Sequence, residues 1–146
     1  MADPVDLTTH EIDAAIGTAF ERGRTVVVGY VDDDGYPTLS FRGSAHVHSP
    51  TQLAIWARKR DDGLAVAIAR RPKVSVLYHS GGQGPGPRFL SLRGTARLDE
   101  AAGEAVYAAI PQREREHDAE RAGVAVIVDV RSVRGFGADG PFEMAA

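Results

Sequence analysis

The densest concentration of charge able to hold an anion is Arg58-Lys59-Arg60. This basic triplet closes an apolar stretch, Leu53-Ala54-Ile55-Trp56, and stands just before a short helical pattern. A strand end, three cations and the free amides of a helix N-terminus together make an anion seat. Asp61 and Asp62 oppose it, because either can cap the helix and both repel a phosphate. The residues alone leave that contest open. A second candidate is histidine. His46 and His48 lie at i, i+2 in an extended segment, so they share one face of a sheet, and with His79 on a neighbouring strand they could ligate a metal. No carboxylate stands between them, and a two-histidine strand more commonly faces solvent or an interface, so no metal site is assigned.

Other chemistry is excluded more firmly. Gly135-x-Gly137-x-x-Gly140 matches a dinucleotide fingerprint by letter, but only six residues follow it and no helix can form behind it to receive a pyrophosphate. The run Gly81-Gly82-Gln83-Gly84-Pro85-Gly86 lacks a terminal Lys-Ser/Thr and leads into a strand, so it is not a P-loop. There is no G-x-S-x-G elbow, and neither Ser44 nor Ser91 has a His and Asp arrangement beside it. With no cysteine, thiolate catalysis, disulfides and Cys-ligated metals are absent. The run Arg113 to Arg121 alternates in sign at helical spacing and reads as a solvated helix face.

The elements that must position these residues follow from periodicity. Thr8-Thr9-His10-Glu11 is a capping-box pattern ahead of Ile12, Ala15, Ile16 and Ala19, which predicts an N-terminal helix within residues 1–23. Extended segments are expected over Val26–Val31, Tyr36–Val47, Leu53–Trp56, Val74–Tyr78, Arg88–Leu98 and Val124–Val133. Gly94 inside the fifth of these predicts a bulge or a close backbone approach. A short helix is expected from Asp62 to Arg71, and one or two between Asp99 and Arg121. Residues 138–146 read as a Gly-rich tail. Strands in hairpin runs predict a closed or split antiparallel barrel of mainly β class rather than a doubly wound sheet. The whole chain, 1–146, fits a single domain. Seventeen Lys+Arg against 20 Asp+Glu, a net charge of −3, argue against a nucleic-acid partner. No apolar run is long enough to cross a membrane and Met1–Thr9 lacks a leader pattern, so a cytoplasmic location is expected.

The layout from Arg42 to Pro72, with "RFLSLRGTARL" after it, the hairpin "TVVVGYVDDDGYPTLS" before it and "DVRSVRGFG" at the end, resembles the pyridoxamine 5′-phosphate oxidase-like, flavin-binding split-barrel family. The likeness spans Thr25 to about Gly137. It implies a six-stranded split β-barrel (residues 25–137) with flanking helices, assembled as a homodimer that holds FMN, or alternatively a deazaflavin, at the subunit interface. It implies a flavoprotein oxidoreductase passing hydride to or from a small-molecule substrate. By the same resemblance Arg42 grips the cofactor phosphate, the amides of Gly43 and Ser44 meet the ring edge, and Trp56, Tyr78 or Phe136 wall the pocket. Arg88 falls on the strand position where the family carries an arginine. The family's Ser-x-Lys is replaced here by Asp62, Gly63 and Leu64, and Val47 stands where a lysine often faces the cofactor. Arg58, Lys59 and Arg60 could supply a displaced grip. The alternative is a non-catalytic small-ligand-binding protein on the same fold that has lost the phosphate site and holds no cofactor.

Overall fold

Alternation along the strands builds the molecule. In β5 (Lys73–His79), Val74, Val76 and Tyr78 are buried while Lys73, Ser75, Leu77 and His79 face out. The same alternation in β1 (Val27–Val31) buries Val28 and Tyr30, and in β6 (Phe89–Leu98) it buries Leu90, Leu92 and Ala96. These residues, with Leu53 and Ile55 of β4 (Gln52–Ala57) and Val124, Val126, Val128, Val130 and Val133 of β7 (Val124–Gly137), form one core. The computed structural model describes residues 2–146, and Met1 of the N-terminal reading lies outside them.

All named strand pairs are antiparallel, in the order β2-β1-β5-β6-β7-β4-β3, with β2 at Pro37–Phe41 and β3 at His46–Ser49. The long β7 splits one of its edges. Its first half pairs with β4 and its second half with β8 (Gly140–Ala145), while β6 runs along the other edge. Mainly β antiparallel architecture is therefore as expected, but the sheet has eight strands rather than six. Two segments account for the difference. The stretch expected as one strand, Tyr36–Val47, breaks between Phe41 and His46, where Ala45 N–H donates back to the Arg42 carbonyl, and its halves go to opposite ends of the strand order. The segment expected as a tail turns at Gly140, with φ of 100°, and returns as β8.

Helix α1 (Ile12–Gly17) is shorter than its pattern, and the capping box does not form. Thr8 N–H and its hydroxyl both donate to Asp6, and Glu11 sits at φ 55° with no side-chain cap. The hydroxyl that would cap the helix is already engaged by a preceding Asx turn. Ile12, Ala15 and Ile16 nonetheless face the core. Helix α2 (Gly63–Arg70) seals the core with Leu64, Ala65, Ala67 and Ile68. After a 3₁₀ turn at Glu100–Ala102, α3 (Gly103–Ala109) covers the outer side of β4 and β7 in a second cluster, where Val106, Tyr107 and Ile110 meet Trp56, Ala125 and Ile127. A last short helix, α4 (Gln112–Glu116), follows. Among the described residues no helix is long and apolar enough to cross a membrane.

Candidate functional site

Where β2 ends, the chain turns at Arg42, and where β4 ends it runs into Arg58 and Lys59 ahead of α2. These two exits meet. Arg42, Arg58, Lys59, Gly63, Leu64 and His117 line one cavity of about 600 Å³, within the size range of small-molecule sites. Arg42 is held in place by donation from its Nε to Ser40 Oγ at 3.0 Å. Burial lowers its pKa from the ordinary arginine value; Tyr30 works against that, Arg58 adds to it, and Glu114 works against it again. Arginine stays protonated regardless, so the physical content is a half-buried cation short of counter-charge. The free amides of α2 open on the same cavity. Asp62 occupies the first of them, accepting from Gly63 N–H at 2.7 Å as the helix cap. The sequence contest between an anion seat and a self-capping aspartate thus has both parties present: Asp62 caps, and three cations still face the opening.

The remaining expected residues lie elsewhere. Arg60 turns away to pair with Glu100 and to donate to the Ala122 and Gly123 carbonyls. Trp56 is buried against Tyr107 with rings 5.1 Å apart, and its Nε1 donates to Asp118 at 2.9 Å. Burial pushes the Asp118 carboxyl up, but donations from Trp56, Gly123 and Ala122 together outweigh it, leaving it below the ordinary value. Trp56 therefore anchors the loop after α4 instead of walling the cavity. Tyr78 is buried, with its hydroxyl accepting from Arg22 at 2.7 Å, and Phe136 lies on the outer sheet face. Ser44 is buried, its hydroxyl accepting from Trp56 N–H at 2.9 Å. Gly43 is pressed against Phe20 and Glu114, so that a Cβ there would collide with both. Arg88 sits beside Gly82 of the 80–87 loop, with its N–H donating to the Phe136 carbonyl.

His117 and Glu114 were not expected at the site. Both belong to the mixed-charge run read as a solvated face, and α4 instead brings His117 to the cavity and Glu114 beside Gly43. Alternating charge at helical spacing looks alike on a solvated helix and on a helix that rims a polar site. Tyr30 is a third unexpected residue: its hydroxyl lies 3.7 Å from where a Cβ on Gly63 would be.

The histidines do not converge. His79 is on β5, which is separated from β3 by β6, β7 and β4 rather than adjacent to it. Among the described residues no three His, Cys, Asp or Glu side chains are grouped to hold a metal. His46 Nδ1–H donates to the Ser44 carbonyl at 2.8 Å, and its buried Nε2 has no partner. Burial lowers its pKa, the Ser44 carbonyl opposes that, His48 adds to it and Asp13 opposes it. Protonation is thus favoured in the unfolded chain, whose value is about 6.5. Stability is fully present above that pH and is lost as the pH falls below it. Urea unfolding between pH 8 and pH 5 should give a steeper acid loss for the wild type than for His46→Asn, which keeps a donor for Ser44 but cannot titrate. Equal slopes would exclude His46 as the cause.

No family model and no curated protein matches the sequence. Solved structures do match in shape. A Clostridium acetobutylicum protein related to general stress protein 26 of B. subtilis, of the pyridoxinephosphate oxidase family, superposes with a TM-score of 0.60 at 12% identity, over 88% of this chain and 90% of that one. An F420 reductase gives 0.61 at 14% identity, over 86% and 95%. A heme binding protein from Mycobacterium smegmatis gives 0.63 at 15% identity, over 91% of this chain and 57% of that one. The chain has the pyridoxamine 5′-phosphate oxidase-like split-barrel fold.

Proposed function

We propose that the protein binds a flavin-type cofactor, FMN or a deazaflavin, with the cofactor phosphate in the cavity of Arg42, Arg58 and Lys59, and acts as an oxidoreductase on a small organic substrate. The observation that carries this reading is the meeting of three cationic side chains and the N-terminus of α2 at one cavity. The donor set fits a phosphate: Arg42 and Arg58 can each offer a bidentate fork, Lys59 a point charge, and α2 its free amides beyond the one that Asp62 takes. The bound cofactor would supply the hydride chemistry, and the chain's part is to seat and orient it. The fold neighbours named for pyridoxinephosphate oxidases and for a reductase support the reading.

The test is a visible absorption spectrum of the purified protein, followed by titration with FMN and with a deazaflavin. Saturable binding of one of them at one per chain is the expected result. Binding of neither would favour the second reading, a small-ligand-binding protein without cofactor, for which the Asp62 carboxylate at the seat is the supporting observation.

The reading extends to a homodimer. Phe41, Leu77, Phe89 and Phe136 stand 75%, 46%, 36% and 47% exposed on the outer face of β2, β5, β6 and β7, and the register sets Phe89 directly between His79 and Phe136. An apolar sheet face of this kind marks an interaction surface, and a two-fold interface lets the same patch cover itself. Sedimentation equilibrium should find a dimer for the wild type and a monomer for Phe89→Asp combined with Leu77→Asp. A monomeric wild type would overturn the assignment.

A further inference from the structure

On the outer face of the sheet, toward the end away from Phe89 and Phe136, a groove of about 610 Å³ crosses β1, β5, β6 and β7. It shares no lining residue with the cavity of Arg42. Its depth has a backbone cause. Gly29 presents no side chain between Leu39 and Ser75, and a Cβ there would come within 3.1 Å of Leu39 Cδ2. Val31, Pro37 and Leu39 supply apolar wall.

The groove's charge is all of one sign. Lys73 lies opposite Thr95, and Arg93 lies between Ser75 and Ser132. The ladder then skips a residue, pairing Arg93 with Ser132 but Gly94 with Val130, so Arg131 bulges into the same groove. No carboxylate lines it. The ion pairs among the described residues use Arg60, Arg70, Arg71, Arg97 and Arg134, and none of them uses Lys73, Arg93 or Arg131. The contrast with Arg97 is direct, since that side chain, two residues along β6 from Thr95, is neutralised by Asp129. Three clustered cations without counter-charge repel one another, and an anion among them relieves that repulsion. Ser75, Thr95 and Ser132 add hydroxyl donors at the same level.

We propose that this groove is a binding site for a small amphipathic organic acid, its head held by Lys73, Arg93 and Arg131 and its apolar body laid along Val31, Pro37 and Leu39. Charge complementarity selects this occupant over a second copy of the chain, because the groove offers no acid to meet its own cations. The aromatic end of the same face, where Arg134 is already paired with Glu143, is where self-association fits. The proposal does not depend on the cofactor reading.

Calorimetric titration of the intact protein with decanoate as the probe tests it, with decanol and decyltrimethylammonium as controls. One decanoate per chain should bind saturably and neither control should. Arg93→Gln and Lys73→Gln should each weaken decanoate about fivefold, the effect of losing one exposed charge contact, with circular dichroism and FMN affinity unchanged. Absence of saturable decanoate binding, equal binding of decanol, or charge variants that bind as the wild type does would each overturn the site. Loss of FMN binding with decanoate binding intact would count against the cofactor reading alone.

Discussion

Arg42→Ala is expected to weaken FMN binding by about 30-fold, within the range for a charge-assisted hydrogen bond to a partly buried group. Arg42 is the one cation of the cavity that is substantially withdrawn from solvent, fixed by Ser40 and set near Arg58 and Tyr30. Arg58 is exposed at the rim, so Arg58→Ala should cost only about fivefold. The two changes share one ligand group, so their effects should not simply add. Arg42→Lys should recover part of the loss, because it restores charge without the planar fork. Riboflavin, which lacks the phosphate, provides the control: its affinity should be the same in wild type and variant. Fluorescence titration decides the matter. If both single variants bind FMN as the wild type does, the phosphate is not held here. If riboflavin and FMN lose affinity equally, the substitution has damaged the fold rather than the seat.

Why Arg58 was legible in the sequence and His117 was not has a physical basis. Short apolar runs such as Leu53–Trp56 and the alternation of Val74, Val76 and Tyr78 fix strands wherever one face is buried, and the chemistry at their ends follows from chain order. Arg58 and Lys59 therefore reach the cavity as their position after β4 demands. Arg60, one step further along, already points elsewhere, to Glu100 on a segment 40 residues away. That partner is a tertiary fact with no local trace. The same holds for α4, which is tied to α3 by the Tyr107 hydroxyl donating to the Arg115 carbonyl at 3.3 Å and to the Asp118 carbonyl just beyond the helix at 3.0 Å. The missed break at Arg42–Ala45 and the missed strand β8 have another cause. Neither segment carries a strong period, and each is shaped by partners distant in sequence: Trp56 for Ser44, and Ser132–Gly137 for β8. Composition could not reveal the outer groove either, since its three cations come from three strands.

Gly94→Ala should cost about 3 kcal/mol of stability, at the upper end of what overpacking a rigid site costs. The sequence marked this glycine as a bulge or a close approach, and the structure contains both. Gly94 faces the core beside Val74, and a Cβ there would lie 2.5 Å from the Asp129 carbonyl oxygen and 2.7 Å from Val128 Cγ1. The first obstacle is backbone in the most heavily paired strand of the sheet, which cannot swing aside as a side chain can. β7 would have to retreat from β6 at the point where the ladder skips Arg131. Gly103→Ala makes the matching control. Gly103 opens α3 with helical backbone angles and nothing within 4 Å of an added Cβ, so alanine there should be neutral or stabilising by up to about 1 kcal/mol. Urea unfolding of the two variants beside the wild type gives the answer. A Gly94→Ala midpoint close to that of the wild type would mean that β7 yields at little cost, and the bulge would then be too soft to hold Arg131 in the outer groove. A large loss at Gly94 with none at Gly103 would tie the groove's geometry to one contact between a missing side chain and a carbonyl on the next strand.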